Sequence, residues 1–128
     1  MPGSDAGGFD PWDVVKVPFP YTDRPVRQRR PALVVSDRSL AAEHRLVWVV
    51  MITSAENRGW PGDVEIADHG AAGLPSPSVV RTAKIATIDA RDAERLGCLP
   101  PPDRSAVAGH LARHLAAVSV SGFRPSER

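Results

Sequence analysis

Two unbroken apolar runs dominate the pattern, Ala32-Leu33-Val34-Val35 and Leu46-Val47-Trp48-Val49-Val50-Met51-Ile52. Their length and β-branched content predict strands shielded on both faces. The first is entered through Arg29-Arg30-Pro31. Proline fixes its own φ and keeps Arg30 out of the helical region, so a charge sits at the mouth of a buried strand. The second run ends in two hydroxyls, Thr53 and Ser54, and the two runs are expected to be sheet neighbours. Trp12 to Phe19 predicts a first strand, with Asp13, Val15, Val17 and Phe19 on one face. Asp63-Val64-Glu65-Ile66 alternates with period 2, as a half-exposed strand does. Ser78 to Ile88 predicts one long strand or two short ones. Between the two apolar runs, Asp37 to Arg45 is expected to form a turn or a single helical turn.

Two helices complete the pattern. Asp89 reads as the N-cap of a short helix through Leu96, with Asp92 near its N-terminus and Gly97 stopping it. Asp103 or Ser105 is expected to cap the best helix of the chain, running to about Val118. Val107, Leu111, Leu115 and Val118 recur along it at helical spacing. Five or six strands without a helix after each predict a mostly β, α+β fold. The expected form is a small, strongly bent antiparallel sheet or barrel with the C-terminal helix over one opening. Residues 12–118 form the expected single domain, residues 1–11 a flexible N-terminal arm and 119–128 a C-terminal tail.

Composition narrows the class. At 128 residues with 42% hydrophobic and 24% charged content, the chain has the make-up of one soluble domain. A net charge of +1 means that an anionic partner must be met by a local patch. Cys98 is the sole cysteine, which excludes an internal disulfide and a multi-cysteine zinc site and fits a reducing cytoplasm. Its default reading is a buried thiol. No apolar run reaches the ~20 residues that span a bilayer. The Gly/Asp-rich start is unlike a signal peptide.

The local patch is legible. Between Pro20 and Arg30 stand Arg24, Arg27, Arg29 and Arg30 against only Asp23, next to Tyr21. A basic loop with an aromatic suits a nucleic-acid backbone with stacked bases; the bland alternative is a solvated loop. Arg30 is open to two readings, a phosphate contact or a solvated strand end. Thr53 and Ser54 are residue types that strands use structurally in most proteins. Trp60, in a turn, is expected to be exposed, with base stacking as its candidate role. His110 and His114 have the i, i+4 spacing that can bind zinc, but no glutamate lies between them and no third ligand follows. No cofactor or metal is expected.

Several blocks, in order, resemble the MazF/PemK family of toxins from bacterial toxin–antitoxin pairs. They are Asp13-Val14-Val15, Arg30-Pro31-Ala32-Leu33-Val34-Val35, Ile52-Thr53-Ser54, Ser78-Val79-Val80-Arg81, Thr87-Ile88-Asp89 and Arg95-Leu96-Gly97. The resemblance implies an SH3-like or CcdB-like barrel, a homodimer, a cognate antitoxin with an acidic, partly disordered segment, and metal-independent cleavage of single-stranded RNA. It implies that Arg30 and Thr53 are catalytic. Tyr21, Arg24, Arg27, Arg29, Ser54, Arg81 and Lys84 become the candidate RNA contacts. Some members of the family use the arginine of the Val-Val-Arg block with an acidic residue two positions later; here Arg81 is followed at that spacing by Ala83. The family's glycine before the first-strand acid is Trp12.

Metal-free RNA cleavage proceeds by attack of the 2′-hydroxyl on the adjacent phosphorus. An arginine fork can bind two phosphoryl oxygens of the resulting phosphorane, and a threonine hydroxyl can donate to a non-bridging oxygen or orient the 2′-hydroxyl. Two rivals of the same fold are a CcdB-like inhibitor of DNA gyrase, which needs no such pair, and a catalytically inactive interaction module.

Overall fold

Six strands and two helices make up the computed structural model, which describes residues 8–19 and 28–118. In chain order they are β1 (Asp13–Pro18), β2 (Arg29–Val34), α1 (Arg38–His44), β3 (Leu46–Ser54), β4 (Asp63–Glu65), β5 (Ser78–Asp89), β6 (Glu94–Cys98) and α2 (Arg104–His114). The strands form one antiparallel sheet in the order β4-β5-β3-β2-β1-β6. The two apolar runs are adjacent in it, as their character predicts. Among the described residues no ladder joins the edges β4 and β6, so the sheet is open and not a hydrogen-bonded barrel. Helix α2 lies against one face through Val107, with Leu111 at its margin.

Successive strand residues feed two separate cores. Val15, Val17, Ala32, Val34, Val47, Val49 and Met51 point to one side, where Phe9, Phe19 and Ala41 of α1 cover them. Val14, Leu33, Val50, Ile52, Val64 and Val80 point to the other, beneath Leu99 and Val107. A sheet covered on both faces explains why β2 and β3 are continuously apolar instead of alternating.

β5 is one strand, and it carries the main irregularity. Its pairing with β3 jumps from Val50↔Ile85 to Met51↔Arg81, so Thr82, Ala83 and Lys84 have no partner on β3. Extra residues of this kind bend a strand and sharpen its twist. A smaller shift in the β1–β6 pairing, between Val14 and Val15, passes over Leu96.

The segment after Asp89 corrects the expected helix. Asp89 accepts the Arg91 amide at 3.0 Å, but this caps only a 3-10 turn at Ala90–Asp92. Glu94–Cys98 then becomes β6 and pairs with the free edge of β1, a tertiary demand that overrides local helical preference. Gly97 is therefore no helix stop. A Cβ there would lie 2.5 Å from the Ala72 carbonyl oxygen, so the glycine permits two backbones to approach.

Four smaller expectations change as well. Asp37 to Arg45 holds a seven-residue helix, α1, started by the Asp37 carboxylate on the Ser39 amide at 2.9 Å. α2 ends at His114, a 3-10 turn follows at Ala116–Val118, and Leu115 and Val118 are exposed. The Asp103 carboxylate does not cap α2; it is buried and accepts the Ala67 amide at 3.0 Å, which ties the end of β4 to the helix. Cys98 is exposed at the end of edge strand β6, 3.3 Å from Arg104 Nη2.

At the entry turn Trp12 has φ 82°, a backbone region that glycine adopts freely and other residues rarely. Its amide donates to the Val34 carbonyl at 2.9 Å and its carbonyl accepts the Leu99 amide at 2.8 Å. These bonds hold the tryptophan in a conformation suited to glycine.

Candidate RNA-binding site

The two candidate catalytic residues stand at neighbouring ends of β2 and β3. Pairing runs Val34↔Val49, Leu33↔Val50, Ala32↔Met51. The ladder ends there; continued two residues further, the same register would set Arg30 across from Thr53. Alternation puts both on the face of Ala32 and Met51, and Arg30 is also paired with Val17 of β1. Arg30 is half-buried at the start of β2, and among the described residues no ion pair or side-chain hydrogen bond engages its guanidinium. Pro31 has no N–H, and the pairing of β2 with β3 begins only after it.

Thr53 is 5% exposed, and its Oγ1 accepts the Asn57 side-chain amide at 3.0 Å. The threonine proton is thereby left to point elsewhere. Asn57 reaches back because the chain turns immediately after β3. The Ser54 hydroxyl accepts the Glu56 amide at 3.2 Å and starts the 3-10 turn at Ala55–Asn57. This capping is the role the structure gives Ser54.

Arg81 sits beside this pair but is already occupied. Thr53 pairs with Val79 and Met51 with Arg81, so Arg81 is a diagonal neighbour of Thr53 on the same face. Such neighbours lie about 7–8 Å apart. Arg81 Nε donates to Asp63 Oδ1 at 3.1 Å, and Nη2 donates to Asp63 Oδ2 at 2.9 Å and to the Asn57 carbonyl at 2.7 Å. Both charged side chains are 8% exposed. Only Nη1 is left for any other contact. The carboxylate beside Arg81 thus comes from β4, and Ala83 stands exposed in the bulge.

Asp63 also organises the loop before β4. Its Oδ2 accepts the amides of Gly59 and Trp60, each at 3.2 Å. Burial would raise the Asp63 pKa. The Arg81 hydrogen bonds and charge, with the two loop amides, outweigh it and hold the carboxyl below its ordinary value. The Trp60 ring then lies over the Arg81 guanidinium, 4.3 Å from centroid to Cζ, with Lys84 Nζ at 5.6 Å. Trp60 itself is 46% exposed.

The other sequence candidates separate. Arg29 donates to the carbonyls of Asp92 at 3.2 Å and Lys16 at 3.1 Å, with Glu94 at 3.6 Å, so it clamps the β1–β6 edge. Tyr21, Arg24 and Arg27 lie outside the described residues. His114 Nε2 is 3.1 Å from Thr82 Oγ1, which donates to the Gly62 carbonyl at 2.8 Å. Among the described residues no three His, Cys, Asp or Glu side chains come together. A cleft among the described residues, between Ala41, Arg45, Asp89 and Arg91, is lined by none of the candidate residues.

Asn57 and Asp63 are the neighbours of the candidate residues that sequence reasoning missed. Their only signal was a Gly/Pro-rich turn between Asn57 and Asp63.

The site thus joins a small antiparallel sheet to an arginine and a threonine at neighbouring strand ends, the arginine without a side-chain partner among the described residues. Residues 10–115 match the family described as PemK-like, MazF-like toxin of type II toxin-antitoxin system. The chain belongs to that family. Among solved structures it is similar to MazF from Deinococcus radiodurans, with 28% identity, 84% of this chain and 96% of that chain covered, and a TM-score of 0.70. It is also similar to MazE-MazF from the same organism, with 27% identity, coverage of 84% and 94%, and a TM-score of 0.66. An endoribonuclease in complex with its cognate antitoxin from a mycobacterial species shares the fold at 19% identity, coverage of 85% and 96%, and a TM-score of 0.68. No curated protein matches the sequence. No helix among the described residues is long and apolar enough to cross a membrane.

Proposed function

We propose that this toxin is an endoribonuclease that cuts single-stranded mRNA at short sequences, without metal, by attack of the RNA's own 2′-hydroxyl. What supports the reading is that strand alternation sets Arg30 and Thr53 on the face of Ala32 and Met51, two residues beyond that last ladder pair. The Arg30 fork binds the two non-bridging oxygens of the scissile phosphate, and the Thr53 hydroxyl donates to one of them as negative charge builds on the phosphorane. The 2′-oxygen gains the bond to phosphorus and loses its proton. The 5′-oxygen leaves and is protonated, and a 2′,3′-cyclic phosphate remains. Asn57 donates to the Thr53 oxygen, which leaves the threonine proton to be donated to another group.

The remaining expectations join this reading. Tyr21, Arg24 and Arg27 would supply backbone and stacking contacts, with Arg29 and Lys84 adding charge. The protein would act as a cytoplasmic homodimer whose bent sheet forms the SH3-like, CcdB-like scaffold. A cognate antitoxin with an acidic segment would mask the groove; the similarity to MazE-MazF supports such a partner. Brief incubation of the pure protein with total RNA in excess EDTA, followed by mapping of the new 5′ ends, tests the activity. Cuts at a shared short sequence are expected. Intact RNA together with poisoned DNA gyrase would replace this reading with the CcdB-like one.

A further inference from the structure

Trp60 is the largest side chain near the site that the catalytic reading does not use. Almost half of its surface is open to solvent, yet its position is strongly fixed. The loop that carries it is wound around one carboxylate: Asp63 accepts the Gly59 and Trp60 amides, and the Asp63 amide donates back to the Trp60 carbonyl at 3.0 Å. Gly59 and Gly62 take φ of +132° and +91°, conformations that side chains resist. A Cβ at Gly62 would also come within 2.8 Å of Thr82 Oγ1. Beneath the indole lies a guanidinium that the same Asp63 holds. An exposed aromatic ring held by a cation from below, on a loop that has little freedom to collapse, is a preorganised stacking platform.

Its location completes the case. Arg81 is the diagonal neighbour of Thr53, and Asn57 bonds to both Thr53 and Arg81. The ring is therefore linked to the candidate catalytic hydroxyl through Arg81 and Asn57, whose backbone carbonyl accepts from the guanidinium and whose side-chain amide donates to Thr53. We propose that the exposed part of the Trp60 ring, which also has the Lys84 ammonium 5.6 Å from its centroid, stacks a nucleobase of the bound RNA close to the scissile phosphate, and so contributes to the choice of cleavage site. This rests on the ribonuclease reading above. Bases present a π-face whatever their identity, and a fixed aromatic ring beside a cation is how single strands are commonly held.

The test uses the full chain and a single-stranded RNA made uncleavable by one 2′-deoxy sugar at the mapped cut. Binding is measured for wild type, Trp60→Ala, Trp60→Phe and Trp60→Leu, each with the intact strand and with strands abasic at one position at a time. Stacking predicts about tenfold weaker binding by Trp60→Ala, retention by Trp60→Phe and no rescue by Trp60→Leu. One abasic position should weaken wild type and leave Trp60→Ala unchanged. Rescue by leucine as complete as by phenylalanine would reduce Trp60 to a structural cover over Arg81 and overturn the inference. So would a Trp60→Ala protein that binds and cuts like wild type, even if its affinity for an acidic antitoxin peptide fell. Wild-type protein that neither binds nor cuts RNA would overturn the ribonuclease reading as well.

Discussion

Asp63 and Arg81 meet through two parallel hydrogen bonds, Nε to Oδ1 at 3.1 Å and Nη2 to Oδ2 at 2.9 Å, on adjacent strands and almost out of water. This pair fastens the short edge strand β4 to β5 and supports the loop that carries Trp60. Removing one partner strands the other charge in a buried place. Asp63→Ala should therefore cost about 3–5 kcal/mol of stability. The double variant Asp63→Ala/Arg81→Met should lose less than the sum of the two single losses, because no charge is left unmatched. Thermal or urea unfolding of the three variants reads this directly, and additive losses would show that the pair is not coupled.

The same pair sets a pH dependence. The Asp63 carboxyl is held below its ordinary value, with burial opposing and the Arg81 and loop-amide contacts winning. A depressed folded pKa means that the unfolded chain binds the proton more readily. The stabilisation is complete above the ordinary carboxylate range and is lost as pH falls through the lowered folded value. Wild type should lose stability on acidification with a steeper slope than Asp63→Asn over that acid window. Parallel slopes would remove Asp63 from the acid response.

Arg30→Ala should abolish most cleavage while leaving the melting curve nearly unchanged, since the guanidinium has no described partner to lose. The expected loss is about 10²–10³-fold in rate, the size seen for one donor aimed at developing charge. Thr53→Val, close in shape, should lower the rate less, and Asn57→Ala should act in the same direction by freeing the Thr53 hydroxyl. A folded Arg30→Ala protein with normal turnover would exclude Arg30 from the chemistry.

Gly97→Ala tests the packing of the opposite end of the sheet. The added methyl would sit 2.5 Å from the Ala72 carbonyl oxygen and 3.0 Å from the Gly73 amide nitrogen, where backbone must yield on both sides. Overpacking of this kind costs about 1–3 kcal/mol. An unchanged midpoint of unfolding would mean that the Ala72–Gly73 turn moves freely.

Much of this architecture was legible because burial on both faces leaves a continuous apolar run, as in β2 and β3, and one-sided burial leaves alternation, as in β4. β6 was not legible. Glu94-Arg95-Leu96-Gly97-Cys98 has no strand pattern of its own and extends only because the free edge of β1 accepts it. Cys98 misled for the same reason, since an edge-strand end exposes a thiol that would be buried in a core. Within the site, Arg30 and Thr53 stood at the ends of readable strands. Asn57 and Asp63 did not, because their roles arise from contacts with Arg81 across the β4–β5 ladder. Arg81 itself reads as a free cation in the sequence, and only that ladder shows it to be held. Tyr21, Arg24 and Arg27 fall outside the described residues.

The central claim is that Arg30 and Thr53 assist the RNA's own 2′-hydroxyl. The most direct measurement places a single 2′-deoxy sugar on the 5′ side of the mapped cut and follows cleavage in excess EDTA. The account predicts that the all-ribose strand is cut to a 2′,3′-cyclic phosphate and a 5′-hydroxyl. It predicts that the deoxy strand stays intact yet competes for the enzyme, because contacts to phosphate survive the loss of one hydroxyl. Cleavage of the deoxy strand at the same position, or loss of all cutting in EDTA, would contradict it.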